Sequence, residues 1–109
     1  MGFTQTLTAE MFFGRNIPSG GQVSDVDWAD FVAKEVTPRF PAGFTVLEAA
    51  GQWRGDNGET VQEPSKVIVL VLSDADKDAP LIAAVRDAYV KRFQQEAVLV
   101  VERPACAGF

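Results

Sequence analysis

The chain contains no histidine. This removes the commonest general base near neutral pH and the commonest zinc ligand. The single cysteine, Cys106, excludes an internal disulfide and any multi-cysteine metal site. With no imidazole to activate it, Cys106 is a poor candidate nucleophile, and its solitary state fits a reducing compartment. Basic residues are few and scattered: ten Lys and Arg stand against fifteen Asp and Glu, for a net charge of −5. No basic run exceeds Lys91-Arg92. Binding to a phosphate backbone needs clustered cations, so nucleic acid is not an expected partner. No apolar stretch approaches the roughly 18 residues that cross a bilayer, so no membrane partner is expected either. The segment Met1-Gly-Phe-Thr-Gln-Thr-Leu-Thr8 lacks the basic start and long apolar run of a signal peptide, and the expected location is the cytoplasm.

What is present suits one compact unit. A length of 109 residues supports a single domain over 1–109, and a hydrophobic fraction of 47% can build one core without staples. Residues 5–14 alternate: Leu7, Ala9, Met11 and Phe13 fall on one side, and Thr6, Thr8, Glu10 and Phe12 on the other. That period of two predicts a half-buried strand. Asn16 to Gly21 carries the turn residues of a loop. Ser24 has N-cap chemistry, with Asp25 and Asp27 in the first turn. Trp28, Phe31, Val32 and Val36 then recur at helical spacing. Pro38 disfavours helical geometry at Thr37, so the helix should stop there.

Phe44 to Trp53 reads as a second strand, and Gly55-Asp-Asn-Gly58 as a hairpin turn. Glu59 to Glu63 returns. Pro64 predicts an edge or a bulge, because proline cannot donate to a ladder. Val67 to Leu72 is a continuous apolar run, the mark of a central strand buried on both faces. Ser73 to Asp78 reads as an acidic loop ending in a cap, with Pro80 in the first turn of a helix that carries Leu81, Ile82, Val85, Tyr89 and Phe93. Ala97 to Val101 is a last strand, and Pro104 to Phe109 a flexible tail beyond a core of about 5–103. The order β-α-β-β-α-β is the ferredoxin-like α+β pattern. Right-handed crossovers place both helices on one face of an antiparallel sheet with strand order 4-1-3-2.

Several motifs occur in a fixed order: Thr37-Pro-Arg-Phe-Pro41 with Gly43-Phe-Thr-Val46, then Gly51-Gln-Trp-Arg54, then Glu63-Pro-Ser-Lys-Val67. Phe13-Gly14 precedes a Gly-rich loop, and Tyr89 precedes Phe93-Gln94-Gln95-Glu96. Together these resemble DUF3574, a bacterial family of uncharacterised proteins, over roughly residues 6–103. The resemblance implies membership and assigns no residue a role.

Two places invite chemistry. The helices cover one sheet face only, so the other presents Glu10 and Phe12 beside an apolar set from the third strand. That mixed face predicts pairing of two copies, a homodimer, with a ligand cavity lined by Glu10 and Phe12 or with none. The second place is Arg39, Trp53, Arg54, Glu63 and Lys66. Arginine beside an aromatic suits an anionic organic ligand. A Lys66–Glu63 pair in a dry site could move protons without a cofactor; the plainer alternative is a salt bridge clamping the hairpin base. Glu10, Glu63 and Lys66 are therefore the acid/base candidates, and Phe12, Arg39, Trp53 and Arg54 the ligand contacts. Pro18-Ser-Gly-Gly21 lacks the lysine of a phosphate loop and reads as a plain flexible loop. Asp74, Asp76 and Asp78 lack the glycine and distal glutamate of a calcium loop, so neither metal nor cofactor is expected. Two functions remain: a sheet-paired binder of a small organic molecule with isomerase-type chemistry, or a non-catalytic protein–protein interaction module.

Overall fold

The computed structural model describes residues 2–109. Strand β1 (Thr4–Gly14) leads into helix α1 (Asp25–Phe31), which continues as a π-helical turn (Val32–Val36). Strands β2 (Thr45–Arg54) and β3 (Thr60–Leu72) form a hairpin, followed by helix α2 (Ala75–Phe93) and strand β4 (Leu99–Ala107). All pairings are antiparallel, and the sheet order is β2-β3-β1-β4, which is the expected 4-1-3-2 read from the other edge. The fold is ferredoxin-like.

Alternation decides which side of the sheet is sealed. Ala9, Met11 and Phe13 of β1 and Ile68, Leu70 and Leu72 of β3 face the helices and are buried. From the helices, Trp28, Phe31, Val85, Tyr89 and Phe93 close over them. The centre is an aromatic cluster in which Phe13 lies edge-on to Tyr89 at 4.9 Å and to Trp28 at 5.2 Å. The Tyr89 hydroxyl donates to the Gly14 carbonyl oxygen at 2.6 Å, which satisfies the one polar atom this cluster would otherwise strand.

The capping chemistry of α1 is as expected: the Ser24 hydroxyl accepts from the Asp27 N–H at 3.0 Å. The helix ends at Thr37, whose N–H bonds the Val32 carbonyl five residues back. Asp30 ties the helices together, bonding Lys34 and, across to α2, Arg92. Those two cations hold its carboxyl below the usual range.

Three boundaries differ from the sequence-based expectation. First, α2 begins one turn earlier. Asp74, not Asp78, caps it, accepting from the Lys77 N–H at 3.2 Å, so Pro80 lies inside the helix. The acidic residues Asp76 and Asp78 complement the helix N-terminus there. Second, β4 runs on to Ala107, pairing residue by residue with β1 as far as Thr4. The expected flexible tail is thus an edge strand: Pro104 sits opposite Leu7 with no further strand outside it, where a missing N–H costs nothing. Third, β3 passes unbroken through Pro64. The Pro64 carbonyl accepts the Arg15 N–H at 3.0 Å, so its ring nitrogen faces the side where β1 is ending. Pro64 therefore neither interrupts the ladder nor marks an edge, since it pairs with Ala50 of β2, and beyond it Thr60–Glu63 pairs with β2 alone as a two-stranded ribbon.

Candidate functional site

The ribbon creates a corner. It projects past the end of β1, and the connections after β1 and α2 rise opposite it. These connections are tied down. Asn16 bridges Gln22, and the Ile17 N–H bonds the Gly21 carbonyl at 3.0 Å. Gly20 and Gly21 take positive φ to close this turn. Ser19 Oγ donates to Gln94 Oε1 at 2.8 Å, and Gln95 Nε2 to the Asn16 carbonyl at 2.8 Å. The Gly-rich segment is therefore a hydrogen-bonded loop clamped to the end of α2. Gln94 ends that helix in left-handed geometry, φ 57°, a conformation that favours glycine.

Between ribbon and clamped loops lies a pocket of about 400 Å³, lined by Asn16, Ile17, Pro18, Trp53, Glu63, Gln95, Glu96 and Ala97. Glu63 is fixed in its wall. Its Oε2 accepts the Asn16 N–H at 2.9 Å. Its carboxylate lies flat on the backbone of Gly14, where a Cβ would fall 2.7 Å from Oε2. Gly14 is thus a glycine because Glu63 occupies the space of a side chain. Trp53 shares the open sheet face with Glu63 by strand alternation and is 52% exposed.

The expected cluster divides. Trp53 and Glu63 meet at this pocket. Arg54 follows Trp53 in the strand, so it alternates to the other face; it is exposed and does not line the pocket. Arg39 lies at the opposite end of the sheet, bonded to Glu35 Oε2 at 3.2 Å, beside a separate hollow of about 340 Å³. Lys66 does not pair with Glu63. The two are three residues apart, so they emerge on opposite faces of β3. Lys66 lies on the helix side, 7% exposed, with its Nζ 2.8 Å from Glu48 Oε1. That bond holds the Glu48 carboxyl below its ordinary range. The salt bridge at the hairpin is therefore Lys66–Glu48.

Glu10 and Phe12 are on the open face. Glu10 pairs with Arg103 of β4. Phe12 stands in a row that crosses all four strands: Leu47, Val67, Phe12 and Leu99 lie side by side in register. Leu47 and Leu99 are 49% and 61% exposed. Among the described residues, no group of three or more Asp, Glu or Cys gathers to hold a metal, and no helix is long and apolar enough to cross a membrane.

Sequence reasoning missed Asn16, Gln95 and Glu96 as lining residues and Gly14 as the seat of Glu63. For Gly14, Gln95 and Glu96 the one signal was membership of the motifs Phe13-Gly14 and Phe93-Gln94-Gln95-Glu96; Asn16 carried none beyond its place at the start of the loop 16–21.

The architecture defines a class, the ferredoxin-like βαββαβ proteins. Within it the chain belongs to DUF3574, a family described as a protein of unknown function, whose model matches residues 8–109. No curated protein matches. Among solved structures the chain is similar to a phage SAM lyase in complex with S-methyl-5′-thioadenosine, at 19% identity and TM-score 0.68, covering 94% of this chain and 88% of the lyase. It is also similar to the periplasmic divalent cation tolerance protein CutA from Archaeoglobus fulgidus, at 10% identity and TM-score 0.56, covering 94% and 87%. A B. subtilis GlnK–ATP complex matches at 14% identity and TM-score 0.50, covering 91% and 82%. At these identities the likeness is one of fold.

Proposed function

We propose that this protein binds a small organic molecule at the corner between Trp53, Glu63 and the Gln95–Ala97 connection, and that copies of it associate through the open face of the sheet. The observation that carries the first part is the seating of Glu63. A partly buried carboxylate rests on a glycine beside a half-exposed tryptophan, in a pocket of about 400 Å³. That volume falls within the roughly 300–1,000 Å³ typical of small-molecule sites. Trp53 offers a stacking surface, and Glu63, Gln95 and Asn16 offer fixed polar contacts. The phage lyase and GlnK structures hold an adenine nucleoside and ATP, which supports a flat organic group as the kind of molecule this fold accommodates. Of the acid/base candidates Glu10, Glu63 and Lys66, only Glu63 reaches this corner, because Glu10 is engaged by Arg103 and Lys66 by Glu48 on the other face.

The association rests on the row Leu47–Val67–Phe12–Leu99. At about 4.8 Å between strands and about 3.4 Å per residue, four strands of nine residues present a face of about 19 by 30 Å. Two such faces would bury on the order of 1,100 Å², just above the ~1,000 Å² a specific interface needs. Glu10 and Arg103 give the face both signs of charge, so a two-fold partner can meet it in complement. The same row, exposed at Leu47 and Leu99 with Val67 buried between its neighbours, favours the second reading, a protein–protein interaction module with no ligand.

Tryptophan fluorescence separates the readings. Trp28 is buried and Trp53 is exposed, so a ligand at the corner changes the emission of Trp53 alone. Saturable quenching by a metabolite such as S-methyl-5′-thioadenosine, absent in Trp53→Phe, supports the binding reading. A metabolite panel that leaves Trp53 unmoved, with association intact, supports the interaction module.

A further inference from the structure

We infer that the molecule taken by this pocket carries a positive charge, an organic ammonium or sulfonium group held between the Trp53 indole and the carboxylates of Glu63 and Glu96. The inference rests on the binding reading above and names the ligand class for that same pocket. It reverses the expectation of an anionic ligand, because the arginines that suggested one lie elsewhere.

Three observations lead there. The lining contains two carboxylates and neither lysine nor arginine. Among the described residues, neither Glu63 nor Glu96 belongs to an ion pair, so no lysine or arginine of the chain neutralises the pocket. Glu63 is positioned at the pocket wall: its Oε2 accepts the Asn16 N–H and its carboxylate rests on the bare backbone of Gly14. A fixed carboxylate in a partly enclosed corner attracts cations and repels anions, and the net charge of −5 adds to that field. A tryptophan face is the best aromatic partner for a cation, and it prefers weakly hydrated onium groups. A metal ion fits less well, since a hard divalent cation draws on six or more oxygen ligands and an indole supplies none.

Choline and its uncharged isostere 3,3-dimethylbutan-1-ol test the charge with the shape held constant. Each is titrated against the intact protein while Trp53 emission is followed, with Trp53→Phe supplying the Trp28 background and acetate and ATP serving as anionic probes. The expected result is saturable quenching by choline, with the neutral isostere about tenfold weaker, the scale of one cation–π contact. Glu63→Gln should weaken choline by about the same factor and narrow its advantage, and Glu96→Gln should act in the same direction. If the alcohol binds as tightly as choline, or acetate or ATP binds more tightly, the charge assignment is wrong while the pocket stands. If no probe of any charge moves Trp53, both the assignment and the binding reading fall.

Discussion

Phe12 and Phe13 are adjacent, identical in chemistry and opposite in circumstance. Phe13 is fully buried at the centre of the aromatic cluster beneath the helices. Phe12 stands half-buried on the reverse of the sheet in a row whose flanks, Leu47 and Leu99, are open to solvent. One face of the sheet is finished by the chain itself, and the other displays an apolar stripe, a set of polar side chains and the approach to a pocket. The contacts that stabilise the fold therefore lie on the first face, and the proposed recognition uses the second.

Substitutions sharpen that division. The largest effect is expected at the sealed face: Phe13→Ala should cost about 3–5 kcal/mol in a denaturant melt. Phe12→Asp should cost far less in the same melt, yet reduce the sedimenting mass to that of the 11.8 kDa chain. Equal losses of stability at the two positions would erase the distinction between the faces. Next is Gly14→Ala. The added methyl meets the flexible end of Glu63, not backbone, so the carboxylate shifts. Ligand affinity should fall about tenfold, as in Glu63→Gln, with a stability change below about 1 kcal/mol.

A smaller effect concerns Tyr89, whose hydroxyl joins the cluster to Gly14. Burial pushes its ionisation well above the ordinary value near 10. The folded state keeps this proton while the unfolded chain releases it, so the contribution is fully present below pH 10 and is lost as pH rises beyond it. Tyr89→Phe should remove part of that alkaline loss and cost about 1 kcal/mol at neutral pH through the missing hydrogen bond. The smallest effect is expected from Lys66→Met. Methionine fills the buried stem, and Glu48 is exposed. The lowered Glu48 carboxyl contributes stability above its ordinary value of 4.5, and that contribution disappears as pH falls through the shifted value. The variant should flatten the acid limb of the stability profile and leave ligand affinity unchanged; a large loss of affinity would return Lys66 to the pocket.

Most of the fold was legible because it follows from periodicity and local chemistry. The alternation of Leu7 to Phe13, the Ser24 cap, the stop at Thr37 and the hairpin closing on Gly58 at φ 81° are all decided within a few residues of themselves. Two ends were misjudged. Pro80 suggested that the helix begins just before it, and position near the terminus suggested a flexible tail from Pro104 onward; the cost of a proline's missing N–H depends on whether a partner waits for it, which is a tertiary fact. The site was half legible. Strand alternation alone separates Glu63 from Lys66, since three residues change the face. The seating of Glu63 on Gly14 and the arrival of Gln95 and Glu96 beside Trp53 depend on two connections far apart in sequence, closed on each other by the bonds of Ser19 and Gln95.

The most direct test of a binding corner at Trp53 and Glu63 is a map of amide and indole chemical-shift changes as a small-molecule panel is added to the intact protein. The account predicts that ligands move the Trp53 indole N–H and the amides of Gly14, Asn16 and Gln95 together, and that these shifts vanish in Glu63→Gln. Shifts gathered instead around Arg39, Gly43 and Lys77 at the far end of the sheet would contradict it.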